Sequence, residues 1–439
     1  MRDVDYVVSG DYVLTMAEGV PPLRNGAVAV SGGKIIDIGE VSALSSLYNA
    51  KKRVGGGGKV VLPGLVNAHT HAAMVYFRGI ADDLPLRQWL QEHIWPAEGK
   101  WLNDEFVYDA TELACCEMLK AGVTTFNDMY FFGGSSARAS KKMGMRAVLG
   151  AGVLDFPTAA ARNADEYIEK AEQFIKDWLG DELITPSIAP HAPYTCSPDT
   201  YKKTKLVAER YGVPLHTHLS ETQFEVSEAK KKYGKSPVEL LDDIGFLDKT
   251  VVAAHCVWVS DNEIEILART GTGVAHCIES NLKLASGIAP VVPMLKKGVA
   301  VALGTDGAAS NNDLDIFSEM SFSARVHKAV SGDPTAINAF SALSMATSTG
   351  ARVLGMQDKT GTIEIGKSAD IVVADLDKPH LTPFYDIYSL IVYSMKSSDV
   401  ESVMVNGKLL IDGGKYLHKD SHAIMDKARW WKNKIAGEV

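Results

Sequence analysis

Apolar and polar positions change their rhythm twice along the chain. Over residues 1–60 the apolar residues come in short runs, Tyr6–Val8, Ala27–Val30 and Lys34–Ile38, broken by Ser-Gly, Asn-Gly and Gly-Gly pairs. Such runs between turn dipeptides predict β-strands. Gly55–Gly58 predicts a flexible loop with no phosphate-binding pattern. From 61 to 361, β-type runs alternate with helical ones. The predicted strands are Val60–Ala68, Thr124–Asn127, Ala147–Val153, Thr185–Ala189, Pro214–His216, Val251–Ala254, Gly273–Ala275 and Ala300–Gly304. Between them Asp104–Ala121, Ala164–Leu179, Pro198–Tyr211 and Pro237–Ile244 carry the apolar spacing of amphipathic helices. From 362 to 439 the β texture returns in Asp370–Ala374 and Val403–Leu410, the latter with an Asn406-Gly407 turn. An amphipathic stretch, Ala423–Ile435, predicts a terminal helix.

Alternating strands and helices imply a parallel sheet with helices packed on it. Eight such units predict an α/β fold, a (β/α)8 TIM-type barrel over 61–361. Neither end is long enough to bury a core alone. Segments 1–60 and 362–439 are therefore expected to build one small β-sandwich together, the second carrying the C-terminal helix. At roughly 150 residues per domain, 439 residues would allow about three domains; this reading reduces them to two.

Composition narrows the partners. A chain with 46% hydrophobic and 23% charged residues is an ordinary globular protein, not a disordered one. A net charge of −9 with no basic run argues against nucleic acid. No apolar stretch is long enough for a membrane span, and aspartates interrupt the N-terminus where a signal peptide needs an apolar run. The five cysteines, Cys115, Cys116, Cys196, Cys256 and Cys277, contain no C-x-x-C pair. That argues against a disulfide framework or zinc ribbon and for a reducing, cytoplasmic setting.

The histidines bring in the chemistry. Catalytic groups of such barrels come from the C-terminal ends of the strands. Here those ends carry His69 and His71, His191, His216 and His218, His255, His276, and Asp306. Imidazole and carboxylate are zinc-type ligands, and equally suit Fe2+. His69 and His71 share a strand face by their i, i+2 spacing, and so do His216 and His218; spacing does not choose within the second pair. A second metal would need a bridging group from strand four, whose end offers only His191. One metal is expected.

The residues resemble the amidohydrolase superfamily and, more narrowly, the 5-methylthioadenosine/S-adenosylhomocysteine deaminase family. The resemblance runs nearly end to end. It rests on Pro63–His71, Arg78–Leu86 with Trp89 and Trp95–Glu98, His216–Thr222, Ser280–Gly287, Gly304–Asn312 and Gly366–Val372. It implies His218 as the third histidine ligand, so that His69, His71, His218 and Asp306 hold one Zn2+ per subunit. It implies catalytic roles for Glu221, His255 and Asp306. It also implies substrate contacts for Glu98 (ribose hydroxyls), His191 and Glu221 (purine), Trp89 (pocket wall) and Arg162 (5′ substituent). Ala151 stands where some members carry a second arginine. The implied reaction is hydrolytic deamination at C6 of a 5′-modified adenosine by a cytoplasmic homo-oligomer acting on a small nucleoside. Glu221 would protonate N1 and then the leaving amine, which needs a carboxyl of raised pKa. Guanine deaminases and triazine chlorohydrolases share much of this pattern; a non-enzymatic barrel would be expected to lose ligands that are all present here. The H-x-E and P-C-x-x-C signature of cytidine-type deaminases is absent.

Gly361–Ser368 matches a Walker A motif letter for letter. A working P-loop opens a helix, whereas this one leads into the apolar run Asp370–Ala374, so a turn between barrel and sandwich is expected.

Overall fold

The structure, a computed structural model, describes residues 1–437. Two eight-stranded sheets organise it. The N-terminal strands β1 (Arg2–Val13), β2 (Leu23–Ser31), β3 (Lys34–Glu40) and β4 (Tyr48–Pro63) begin the outer sheet. The barrel strands follow: β5 (Leu65–Thr70), β6 (Val123–Tyr130), β7 (Arg146–Val153), β8 (Ile184–Pro190), β9 (Leu215–Leu219), β10 (Val251–His255), β11 (Gly273–His276) and β12 (Val301–Leu303). They lie side by side in sequence order with parallel pairing. Beyond β12, the Asp306 N–H donates to the His69 carbonyl at 3.0 Å and brings the last strand end back to the first. The chain then returns to the outer sheet with β13 (Ile371–Asp375), β14 (Val400–Val405), β15 (Lys408–Asp412) and β16 (Lys415–Tyr416).

The predicted strand Val60–Ala68 is two strands. Residues up to Pro63 belong to the outer sheet, where Val61 pairs with Val373 and Pro63 with Ile371. The barrel begins at Leu65. Gly64 is the joint: its N–H donates to the Asp370 carbonyl, and a Cβ there would sit 2.0 Å from Thr124 Oγ1. Both sheets bury their part of this segment, so its apolar run is continuous and hides the break.

The sandwich from the two chain ends is built as one sheet curled over a shared core. β1 and β4 run parallel, and the other neighbours antiparallel. Residues Val28, Val30, Val54, Ile371, Val373 and Met404 meet inside it. Their alternating neighbours Val372, Ala374, Val403 and Val405 join the core shared with the barrel. The Walker-like segment closes the curl: Ile35 N donates to the Lys367 carbonyl and Gly366 N to that of Ile35. Its next regular element is β13, not a helix.

The tetraglycine is not a loop. Gly55 and Gly56 pair with Ser9 and Gly10 within β4, and the register slips just beyond, between Gly10 and Tyr12. Gly55 has φ +79°, and a Cβ on it would approach Ser9 O to 2.2 Å, so this irregular pairing requires glycine. The terminal helix, Ser421–Ala436, leaves the sheet and packs on the barrel. Trp431 stacks edge-on to Phe106 and donates to Asp109 Oδ2 at 2.9 Å, both on the helix Asp104–Lys120. No helix among the described residues is long and apolar enough to cross a membrane.

Candidate active site

The ends of β5 and β9, and the turn after β12, converge. His69 Nε2 and His71 Nε2 lie 3.4 and 3.3 Å from Asp306 Oδ1. His71 Nε2 and His218 Nε2 are 3.2 Å apart. One ligand atom from each of these four residues falls within 4.8 Å of all the others. The far nitrogen of each ring is occupied. His71 Nδ1 donates to the Met129 carbonyl at 2.6 Å, His218 Nδ1 to that of His191 at 2.8 Å, and His69 Nδ1 faces His216 Nε2 at 2.9 Å. Anchors of this kind fix the tautomer and turn each Nε2 lone pair inward. On Asp306, Oδ2 accepts from Ser280 Oγ and Ser310 Oγ at 2.6 and 2.8 Å. His69 Nε2 is buried without a hydrogen-bond partner. A buried imidazole lacking a partner, beside two more and a carboxylate, suits a zinc-type cation. The pair that spacing left open is resolved by place: His218 faces the cluster and His216 stands behind His69.

His255 and Glu221 adjoin this group, with Nε2 and Oε2 3.9 Å apart. Asn281 Oδ1 accepts from His255 Nδ1 at 2.9 Å, and Ser286 Oγ lies 3.5 Å from Glu221 Oε1. Ser220, His255 and Asp306 all have positive φ, at +52°, +71° and +61°. Non-glycine residues in that region cost about 1–3 kcal/mol each, a strain that clusters at functional sites.

Burial sets the charges. It holds His69 down at about 3 and His218 and His216 well below their ordinary value, so all three are neutral, as ligands and anchors must be. Burial opposes ionisation of Asp306, but His69, His71 and His255 outweigh it and hold the carboxyl well below the usual range. Glu221 goes the other way: burial raises it, Asp306 adds to the rise, and His255 opposes it. For His255, burial depresses the ring, but the Glu221 and Asp306 carboxylates more than compensate and raise it.

Asp306, Glu221, His255, His191, Glu98 and Trp89 line one cavity of about 210 Å³, measured to the centre of a water-sized sphere. Its other walls are largely apolar, with Trp95, Phe131 and Phe156 prominent, and no lysine or arginine among the described residues lines it. Glu98 is half-buried and accepts from Tyr130 Oη at 2.7 Å. Burial pushes its carboxyl up to about 7, against the pull of that hydrogen bond. His191 Nδ1 faces Thr195 Oγ1 at 2.9 Å. Trp89 is buried with its indole N–H unpartnered. Arg162 lies apart: it is exposed and paired with Glu166 at 2.6 Å, beyond the wall residues Pro157, Thr158 and Ala159.

His276, also at a strand end, is not in the cluster. Its Nε2 meets His327 Nε2 at 3.0 Å on the helix Ile316–Ser331. Tyr130 and the anchoring carbonyls of Met129 and His191 carry no sequence signal of their own, and Ser310 stands inside the Gly304–Asn312 motif without declaring its role. Ser280, Asn281 and Ser286 stand inside a motif without declaring their roles.

Comparison with known proteins shows the family. A 5-methylthioadenosine/S-adenosylhomocysteine deaminase from Thermodesulfovibrio yellowstonii is 53% identical over 432 residues, 98% of each chain. A 5′-deoxyadenosine deaminase from Methanosarcina acetivorans is 47% identical over 427 residues, 97% of each chain. The crystal structure of an adenosine deaminase from Xanthomonas campestris with bound zinc superposes with a TM-score of 0.98 at 39% identity, over 99% of each chain. E. coli guanine deaminase, at 22% identity and a TM-score of 0.85 over 93% of this chain and 99% of its own, shares the fold. The Amidohydrolase family profile matches residues 60–410, and these relatives match nearly the full chain: the chain belongs to the amidohydrolase family.

Proposed function

We propose that this protein is a zinc-dependent aminohydrolase that deaminates C6 of the adenine in 5′-modified adenosines. The candidates are 5′-methylthioadenosine, S-adenosylhomocysteine, 5′-deoxyadenosine and adenosine, and the products the inosine analogue and ammonia. One observation carries the reading: the His69–His71–His218–Asp306 group opens, beside Glu221 and His255, into an apolar cavity that also holds the Glu98–Tyr130 pair. The names of the full-length relatives support the substrate class.

The four ligands suit one Zn2+ per subunit, which when bound lowers the pKa of a coordinated water towards about 7. Asp306 keeps its charge among the imidazoles and accepts the proton of the attacking water. His255, fixed by Asn281, presents Nε2 towards the cavity to orient that water. Glu221, its carboxyl raised by burial, donates its proton to adenine N1 as C6 is attacked; the carboxylate so formed carries the proton of the new C6 hydroxyl to the amine, which leaves as ammonia, and the proton taken up by Asp306 restores Glu221. Glu98 accepts the ribose hydroxyls while Tyr130 holds its carboxyl in place. His191 faces the purine and Trp89 forms a wall with its indole N–H free. Arg162 must leave Glu166 to meet a 5′ substituent. Five buried cysteines with no disulfide support a cytoplasmic setting. Exposed Phe322, Val330 and Phe340 support self-association.

The test is zinc-loaded protein with each of the four nucleosides, followed by loss of the adenine absorbance band and by ammonia release. At least one is expected to turn over. No change with any of them would overturn the deaminase reading.

A further inference from the structure

Glu221 leaves β9 through Ser220, whose φ of +52° a non-glycine residue adopts only when its surroundings impose it. One buried carboxylate meets both peptide groups of this turn. Ser220 N donates to Glu225 Oε1 at 3.0 Å and Glu221 N to Glu225 Oε2 at 2.8 Å. On the other side the Ser220 carbonyl accepts from Trp258 N at 2.9 Å. Glu225 is 2% exposed and sits in the first turn of the helix Gln223–Tyr233, where the N-cap Thr222 accepts its N–H.

Two other helices of this barrel show what a glutamate at that position ordinarily does. Glu239 and Glu263 reach back to the N–H of their own N-caps, Ser236 and Ser260, as capping boxes. Glu225 instead reaches past its N-cap to the two residues before it. Both of its oxygens are spent on the backbone that carries Glu221.

We propose that Glu225 is a positioning residue, a bidentate clamp that fixes the Ser220–Glu221 backbone and so aims the Glu221 carboxyl at the substrate. The inference rests on Glu221 being the proton donor of the proposed deamination. Proton transfer needs heavy atoms within about 2.6–3.2 Å, and a misplacement of about 1 Å can cost on the order of 100-fold in rate. Glu225 touches no reacting atom, so its effect must fall on the chemical step and not on substrate or metal binding.

Glu225→Gln keeps the size but sets an amide NH2 against a peptide N–H. In zinc-loaded protein its kcat is expected to fall about 30- to 100-fold, with KM within about twofold and zinc content unchanged. Glu225→Asp, which keeps the charge but is one methylene short, is expected to lie between that variant and the parent. Ala229→Gly loosens the same helix without touching the clamp and is expected to keep the parental kcat at a lower melting temperature. Amide hydrogen exchange reads the clamp without activity: the Ser220 and Glu221 N–H groups are expected to be protected in the parent and to exchange faster in Glu225→Gln. Parental kcat in Glu225→Gln, an equal loss in Ala229→Gly, loss of zinc, or unchanged exchange would each overturn the clamp. If Glu225→Gln does not fold, Glu225→Asp decides by the same kcat, KM and exchange readouts. A parent inactive on every nucleoside overturns the deaminase reading instead, and the exchange experiment still judges the clamp.

Discussion

Two sets of buried histidines stand at strand ends of this barrel, and they do different things. In one, His69, His71 and His218 have their Nδ1 atoms tied to His216 or to carbonyls, and their Nε2 atoms gather around one Asp306 oxygen. In the other, His276 Nε2 meets His327 Nε2 directly, with no carboxylate between the rings. Burial holds His69 and His218 in the first set, and His276 and His327 in the second, below the ordinary imidazole range. What separates them is the use of the nitrogens. The first keeps inward lone pairs that are not spent on protein. The second uses its facing nitrogens on each other and reads as packing. A strand-end position is therefore a weak criterion, and the anchoring of the opposite ring nitrogen a strong one.

The comparison breaks most decisively at the first set. Asp306→Asn removes the one carboxylate and is expected to lower both zinc content and kcat, the latter by about 10³-fold or more. Glu221→Gln separates binding from chemistry: zinc content stays parental while kcat falls about 10²–10⁴-fold. Metal analysis beside turnover reads both, and a zinc-free Glu221→Gln would mean that Glu221 belongs to the metal site. His216→Ala tests the anchor. Loss of such a partner typically costs 10- to 100-fold in metal affinity, which competition with a chelator measures.

The second set is expected to answer only in stability. His327→Gln should leave zinc content and kcat parental. It should also remove a pH dependence. Burial holds His327 down at about 4, below the ordinary value near 6.5, so the unfolded chain binds the extra proton. Its contribution is fully present above pH ~6.5 and is lost as pH falls through about 4. Thermal melts across that window should show a shallower acid loss in the variant. An equal slope would mean that the pair does not titrate as placed.

The difference between the two sets also marks how far the sequence was legible. The barrel strands could be read because buried parallel strands are apolar runs of fixed length, and the ligands because they end those runs. His276 ends one too, and its partner His327 lies on a helix about fifty positions away, which no local pattern reveals. The break at Gly64 was hidden because both neighbouring sheets bury the same apolar run. The tetraglycine was misread because glycine marks a loop and an irregular strand pairing alike. Glu98 was found through its motif, but nothing in the sequence pairs it with Tyr130, the last residue of β6; only the fold sets that hydroxyl on the carboxyl.

That last pair gives the mildest prediction and the one closest to substrate choice. Burial raises the Glu98 carboxyl to about 7, and the Tyr130 hydroxyl opposes that rise by stabilising the charged form. A carboxylate accepts two ribose hydroxyls, whereas a protonated carboxyl spends one oxygen as a donor. KM for nucleosides bearing both hydroxyls should therefore fall as pH rises through about 7, with kcat little changed. Tyr130→Phe removes the opposing hydrogen bond, so the same fall should move to higher pH and KM at neutral pH should rise about three- to tenfold, the net worth of one typical hydrogen bond. A 2′-deoxy substrate supplies the control: with one hydroxyl missing, its KM should respond less to both pH and the variant. Equal responses from the two nucleosides would show that Glu98 senses something other than the ribose, and would move the sugar to another part of the cavity wall.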